Sequence, residues 1–214
     1  MNFFQYLARR WDNLLALTLQ HVYITVVAVV IATVIGVGLG VATYHTERPR
    51  ELVIAVTSVF LTIPSLALFG LFIPIFGLGA LPVIVALVMY ALLPIVANTV
   101  VGLRGVDPAI VESAQGMGMG RALRLIRVEL PLAWPVILTG MRISTLLTLG
   151  IAAIGAYISG PGLGNDIFAG LARIGSPAAI NLVLGGIFGV VVLAVLFDLL
   201  YLLLNRLTTS RGIR

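Results

Sequence analysis

The side chains that most often carry out chemistry are scarce and scattered in this sequence. There are two histidines, His21 and His45, no cysteine, and no lysine among the thirteen basic residues. No His, Asp and Glu fall together at metal-ligand spacing, and no Ser, His and Asp are placed as a catalytic set. A phosphate-cradling G-x-x-x-x-G-K-[ST] loop needs the missing lysine, so the chain does not hydrolyse ATP by that route. What remains is hydrogen bonding and charge pairing. Polar groups concentrate in residues 104–131, and a few stand alone inside apolar stretches: Asn98, Arg142 and Asp198. An ionised group in lipid is costly and tends to mark function. Arg142 and Asp198 are expected to pair, within the chain or across a dimer, and steady an inner gate; the alternative is separate snorkelling to the interface. Asn98 lines a pathway or ties one helix to another.

The elements that hold these groups follow from composition. The chain has 214 residues, 60% hydrophobic and only 10% charged, with a mean hydropathy of +1.15. A soluble domain carries about 25% charged residues, so a soluble fold is excluded; so apolar a chain is not disordered, and without cysteine it is not a disulfide scaffold. The net charge of +5 does not point to nucleic acid, because no basic run interleaves with aromatics. An integral membrane protein is left, read as a single transmembrane domain over residues 1–214. A span needs about 20 apolar residues. Charge-free stretches and turn clusters place five all-α spans near Tyr23–Tyr44, Val53–Phe76, Leu81–Leu103, Pro135–Ser159 and Ala179–Leu204. The turn cluster at 76–82 divides the second from the third. Pro64, Pro74, Pro82 and Pro94 are expected to kink those two. Period-2 alternation, the mark of barrel strands, is absent. Residues 1–20 read as an interfacial stretch rather than a cleavable signal. Residues 165–178 read as a short lid-like helix.

Arginines set the orientation. One face would hold Arg48, Arg50, Arg104, Arg121, Arg124, Arg127, Arg206, Arg211 and Arg214, and the other Arg9, Arg10 and Arg173. The excess marks the cytoplasm. The C-terminus and the loop between spans three and four are then inside, and the N-terminus is outside.

That loop reads as two short helices. Asp107-Pro108 starts the first, Asp as cap and Pro in the first turn, and the glycines at 116, 118 and 120 end it. The second runs from about Arg121 to Leu130, with Leu123, Ile126 and Leu130 on one face and Arg121, Arg124 and Arg127 on another. Pro131 ends it. Such a pair makes a knob for a partner to grip, or an amphipathic loop resting on headgroups.

Within it, Glu112-Ser113-Ala114, then Gly118 after three residues, then Val128-Glu129-Leu130-Pro131 after nine more, resembles the EAA loop of ATP-binding-cassette (ABC) importer permeases. Ser113 and Val128 depart conservatively from that pattern. Thr18–His21, Ile63-Pro64-Ser65, Leu93–Thr99 and Ile158–Gly164 extend the resemblance to the osmoprotectant branch, over most of residues 14–207. Ala97 and Pro161 depart from that branch.

The resemblance implies a permease subunit, not an enzyme, in the bacterial cytoplasmic membrane. It implies import of glycine betaine, choline or carnitine by alternating access. Permeases for methionine-like amino acids or sulfonates carry a similar loop and remain the alternative; a small channel or membrane enzyme without an ATPase is the remote one. It implies a dimeric cytoplasmic ATPase that binds ATP and Mg in place of this chain, a second permease chain, identical or related, and an extracytoplasmic solute-binding protein. Asp107, Glu112, Ser113, Ala114, Gly118, Arg121, Arg124, Leu130 and Pro131 would form the ATPase-coupling surface, its arginines meeting acidic residues or anionic lipid. Tyr90, Tyr157 and Phe168 offer ring faces to a quaternary ammonium solute, or pack the core.

Overall fold

The charge-free stretches become long helices. The structure, a computed structural model, describes residues 3–176 and 178–209, and no strand occurs among them. In chain order the helices are α1 (Phe3–Arg9), α2 (Trp11–Thr43), α3 (Glu47–Thr62), α4 (Ser65–Phe76), α5 (Ala80–Arg104) and α6 (Pro108–Gly116). They continue with α7 (Arg121–Arg124), α8 (Leu130–Ile154), α9 (Gly164–Leu171) and α10 (Ala179–Thr208). Four helical runs are long and apolar enough to cross a membrane: Trp11–Thr43, Ala80–Arg104, Arg121–Ile158 and Ala179–Thr208. The bent pair α3 and α4 makes a fifth when taken as one span.

α5 is the centre of the bundle, packed between α2 and α8. Small residues allow the approach. On α2, Ile24, Ala28, Ala32, Gly36 and Gly40 recur every fourth residue and are all buried. A methyl group at Gly36 would lie 2.8 Å from Ile95 Cγ2, and one at Gly40 2.6 Å from Thr99 Cγ2. On the other side, a methyl at Gly140 of α8 would lie 2.6 Å from the Pro94 carbonyl oxygen. Lipid supplies no hydrophobic drive between helices, so close backbone packing of this kind is what holds them.

Three expectations are corrected. The first span does not begin at Tyr23. Its helix starts at Trp11, because Asp12 suits the positive helix N-terminus and no breaker follows it. The second span is not one kinked helix: α3 and α4 meet at 98°. Pro64 has no N–H to continue α3, and it pushes Ile63 into an extended conformation (φ −76°, ψ 126°). The other prolines break nothing. Pro82 lies in the first turn of α5, and Pro74 and Pro94 lie within continuous helices.

Third, Pro131 does not end a short helix. α7 runs through a π-helical turn, Leu125–Glu129, straight into α8, with the Leu130 N–H donating to the Leu125 carbonyl. A proline ring crowds the carbonyl four residues before it, here that of Arg127. Widening the turn makes room without stopping the helix. At the far end α8 closes in a 3-10 turn, Gly155–Ile158, and Gly79 N–H donates to the Ile158 carbonyl at 3.0 Å. That bond fixes the α4–α5 turn at the end of the bundle opposite residues 104–131. Arg211 and Arg214, counted in the orientation, lie outside the described residues, as does Pro177 of the expected lid.

Candidate functional site

The 104–131 segment is a capped knob. Asp107 Oδ1 accepts the Ala109 N–H at 2.8 Å with Pro108 in the first turn, and Ser113 Oγ donates back to the Ala109 carbonyl at 2.7 Å. At the other end Met119 N–H reaches the Ala114 carbonyl at 3.1 Å and Met117 N–H the Ser113 carbonyl at 3.0 Å. This closure needs a left-handed residue, which Gly118 supplies at φ +81°. Nothing lies within 4 Å of the position of a Gly118 side chain, so backbone conformation, not space, requires glycine there. Ala114 is buried against the bundle, and Glu112 and Ser113 are exposed. Ile110, Met117, Leu123 and Ile126 are exposed too. The knob therefore exposes apolar side chains as well as Glu112, Arg121 and Arg127.

Arg124 is not on that surface. The expected split into an apolar and a basic face fails, because Arg124 turns to a buried carboxylate while Arg121 and Arg127 stay exposed. Leu123 and Ile126 face outward, and Arg124 turns inward, 5% exposed. Its Nε meets Glu129 Oε1 at 2.6 Å, and Tyr44, just past the end of α2, donates its hydroxyl to Glu129 Oε2 at 2.7 Å. Glu129 is 2% exposed. Leu130 packs in the adjoining apolar cluster with Val100, Leu103 and Ile137, and Pro131 stands in the first turn of α8. Above the network a groove of about 520 Å³ separates α6 from the α2–α3 turn, lined by Tyr44, His45, Val111, Glu112, Gln115 and Glu129.

Arg142 of α8 and Asp198 of α10 are joined by a 2.6 Å contact between Nε and Oδ1. Two further pairs run along the same seam: Thr145 Oγ1 with Tyr201 OH at 2.9 Å, and Trp134 Nε1 donating to Thr208 Oγ1 at 2.8 Å. The ion pair is thus one stitch of three. Asn98 donates its Nδ2 to the Pro94 carbonyl of its own helix at 2.8 Å, and its Cβ faces Gly140 across the α5–α8 contact.

Tyr90 and Tyr157 are not brought to one purpose. Tyr90 is 3% exposed, and its hydroxyl donates to the Ile63 carbonyl at 2.6 Å, serving the break between α3 and α4. Tyr157 is 69% exposed, with its ring 5.9 Å from that of Phe168. This aromatic pair stands at the end of the bundle opposite the knob. His21 is fully buried, and its Nε2 donates to the Leu149 carbonyl at 3.1 Å.

At the same end as Tyr157, Asp166 of α9 receives Arg10 Nη2 at 3.2 Å and the Tyr6 hydroxyl at 3.4 Å. Burial first, then the Asp166 charge, raises the Tyr6 phenol above its ordinary pKa, so it stays protonated as the donor. Sequence reasoning missed this latch and the Tyr44–Glu129 contact. The partners lie 85 to 160 positions apart in the chain, so no local signal pairs them. Among the described residues no three His, Asp or Glu gather as a metal site.

The family whose model matches residues 32–210 is described as "Binding-protein-dependent transport system inner membrane component". The chain is 38% identical over 210 residues to the choline transport system permease protein OpuBB of Bacillus subtilis, covering 98% of this chain and 95% of that one. It is 37% identical to the glycine betaine/carnitine/choline transport system permease protein OpuCB of the same organism, covering 98% and 94%. A solved inward-facing structure of the MetNI methionine ABC transporter superposes with a TM-score of 0.81 at 24% identity, covering 92% of this chain and 96% of that one.

Proposed function

The chain belongs to the binding-protein-dependent transport system inner membrane components, and from that premise we propose that it imports compatible solutes of the choline, glycine betaine and carnitine type. It is a permease subunit of an ABC importer, a multi-pass protein of the bacterial inner membrane. The observation that carries the solute class is near-full-length likeness to permeases named for those solutes. The likeness to the methionine transporter, at 24% identity, speaks for fold alone.

In this reading residues 1–214 are one transmembrane domain with the N-terminus outside and the C-terminus in the cytoplasm. α6 enters a cleft of a separate ATPase, whose two copies hold ATP and Mg. Glu112 and the apolar residues Ile110 and Met117 make the contact, with Arg121 and Arg127 at its rim or on anionic headgroups. A second permease chain completes the pathway, and an extracytoplasmic binding protein delivers the solute to the face that carries Tyr157 and Phe168. ATP-driven closure of the ATPase pair moves the two α6 knobs together and rocks the spans about the pathway. Asn98 and the Arg142–Asp198 pair stiffen the helices that move.

Docking is tested on purified complexes. Glu112→Lys places a like-for-unlike charge on the exposed face of α6 and leaves its caps intact. The expected outcome is loss of the ATPase subunit during purification, with the permease still folded and membrane-inserted. Normal co-elution and normal uptake by this variant would remove α6 from the contact.

A further inference from the structure

We propose that Tyr44, Arg124 and Glu129 form the joint that carries movement of the knob into the spans. This rests on the reading of α6 as the ATPase contact. Four observations converge on it. First, the three side chains are all buried, at 8%, 5% and 2% exposure. The carboxylate has both oxygens engaged, by the Arg124 guanidinium at 2.6 Å and the Tyr44 hydroxyl at 2.7 Å. A buried charge held on both sides fixes its surroundings, because any separation leaves an unpaired ion out of water.

Second, the bonds connect different parts of the bundle. Tyr44 caps the C-terminal end of α2. Arg124 lies in α7, the helical turn of the 104–131 segment that follows α6. Glu129 is the last residue of the π-turn and sits directly before α8. The α7 end of the segment is thus tied to the end of span one and the start of span four at a single point. Third, that point is a π-turn, a widened winding of the kind found most often at functional sites. Fourth, Tyr44 and Glu129 line the groove beneath α6, facing Val111, Glu112 and Gln115. α6 itself packs against α7 and the π-turn, so a push on α6 reaches Arg124 and Glu129 through those turns.

The three are positioning residues: none is assigned a contact with solute or nucleotide. Their loss should leave ATP hydrolysis running while uptake falls behind. The test is the number of ATP molecules hydrolysed per solute imported, measured in proteoliposomes holding the permease, its ATPase and the binding protein. Glu129→Gln keeps the shape and removes the charge; Tyr44→Phe removes only the hydroxyl. The expected ratio rises roughly fivefold for Glu129→Gln and about twofold for Tyr44→Phe, the range seen when residues that link two sites are altered. The ATPase subunit stays bound in both. If Glu129→Gln does not assemble, Tyr44→Phe alone decides. A wild-type ratio in the assembled variants, including uptake and hydrolysis that fall together, overturns the joint. A wild-type complex with no ATP-dependent uptake at all overturns the underlying reading instead, and the joint with it.

Discussion

The Tyr90 hydroxyl lies 2.6 Å from the Ile63 carbonyl, and that contact supplies a partner where the helix cannot. With the chain turning at Ile63-Pro64, the last carbonyls of α3 lose their helical partners. Tyr90→Phe keeps the ring and removes the donor. It is expected to destabilise the protein by about 1–3 kcal/mol, the cost of a buried acceptor left without a bond, read as a lowered midpoint of thermal unfolding in detergent. An unchanged midpoint would show that the break is satisfied some other way. Neither this role nor that of Glu129 was legible in the sequence. Both depend on residues 27 and 85 positions apart, and apolar patterning does not say which polar groups meet. The cap at Asp107 was legible, because it is made between residues two apart. So was the need for glycine near the end of α6.

At the scale of elements, charge-free runs located α5 and α10 closely, since length and apolarity alone decide such helices. They misjudged α2, whose start carries Asp12, and the run from α7 into α8, where a π-turn stands in place of a helix end. Periodicity groups Arg121, Arg124 and Arg127 but does not say which of them finds a buried partner; Arg124 meets Glu129 and turns inward. The Arg142–Asp198 contact shows what an element-level pair can do: with Thr145–Tyr201 and Trp134–Thr208 it seams α8 to α10. Both charged side chains are about a third exposed, so screening limits the pair's contribution to about 1 kcal/mol. Arg142→Met is expected to slow uptake and to lower stability by about that amount, and Arg142→Met with Asp198→Leu to recover most of the stability. A double-mutant cycle by thermal unfolding gives the coupling. Full uptake by Arg142→Met at normal expression would dismiss any part of this pair in the moving inner end.

For the whole molecule, the scarcity of charge has two consequences. It commits the chain to the bilayer, and it leaves most of the remaining charged residues at the two ends, where they hold separate devices. One end carries the knob and its buried Tyr44–Glu129–Arg124 network. The other carries the Tyr6–Arg10–Asp166 latch and the Tyr157–Phe168 pair. Such a division suits the proposed machine, driven at one face and loaded at the other. The most direct measurement is ATP-dependent uptake in proteoliposomes that contain this chain, its ATPase and its binding protein, with labelled choline, glycine betaine, carnitine, proline and methionine offered in parallel. The account predicts accumulation of at least one of the three quaternary ammonium solutes, requiring ATP inside the cytoplasmic compartment and abolished when the ATPase is omitted. Accumulation of methionine alone, or solute movement that persists without the ATPase, would contradict it.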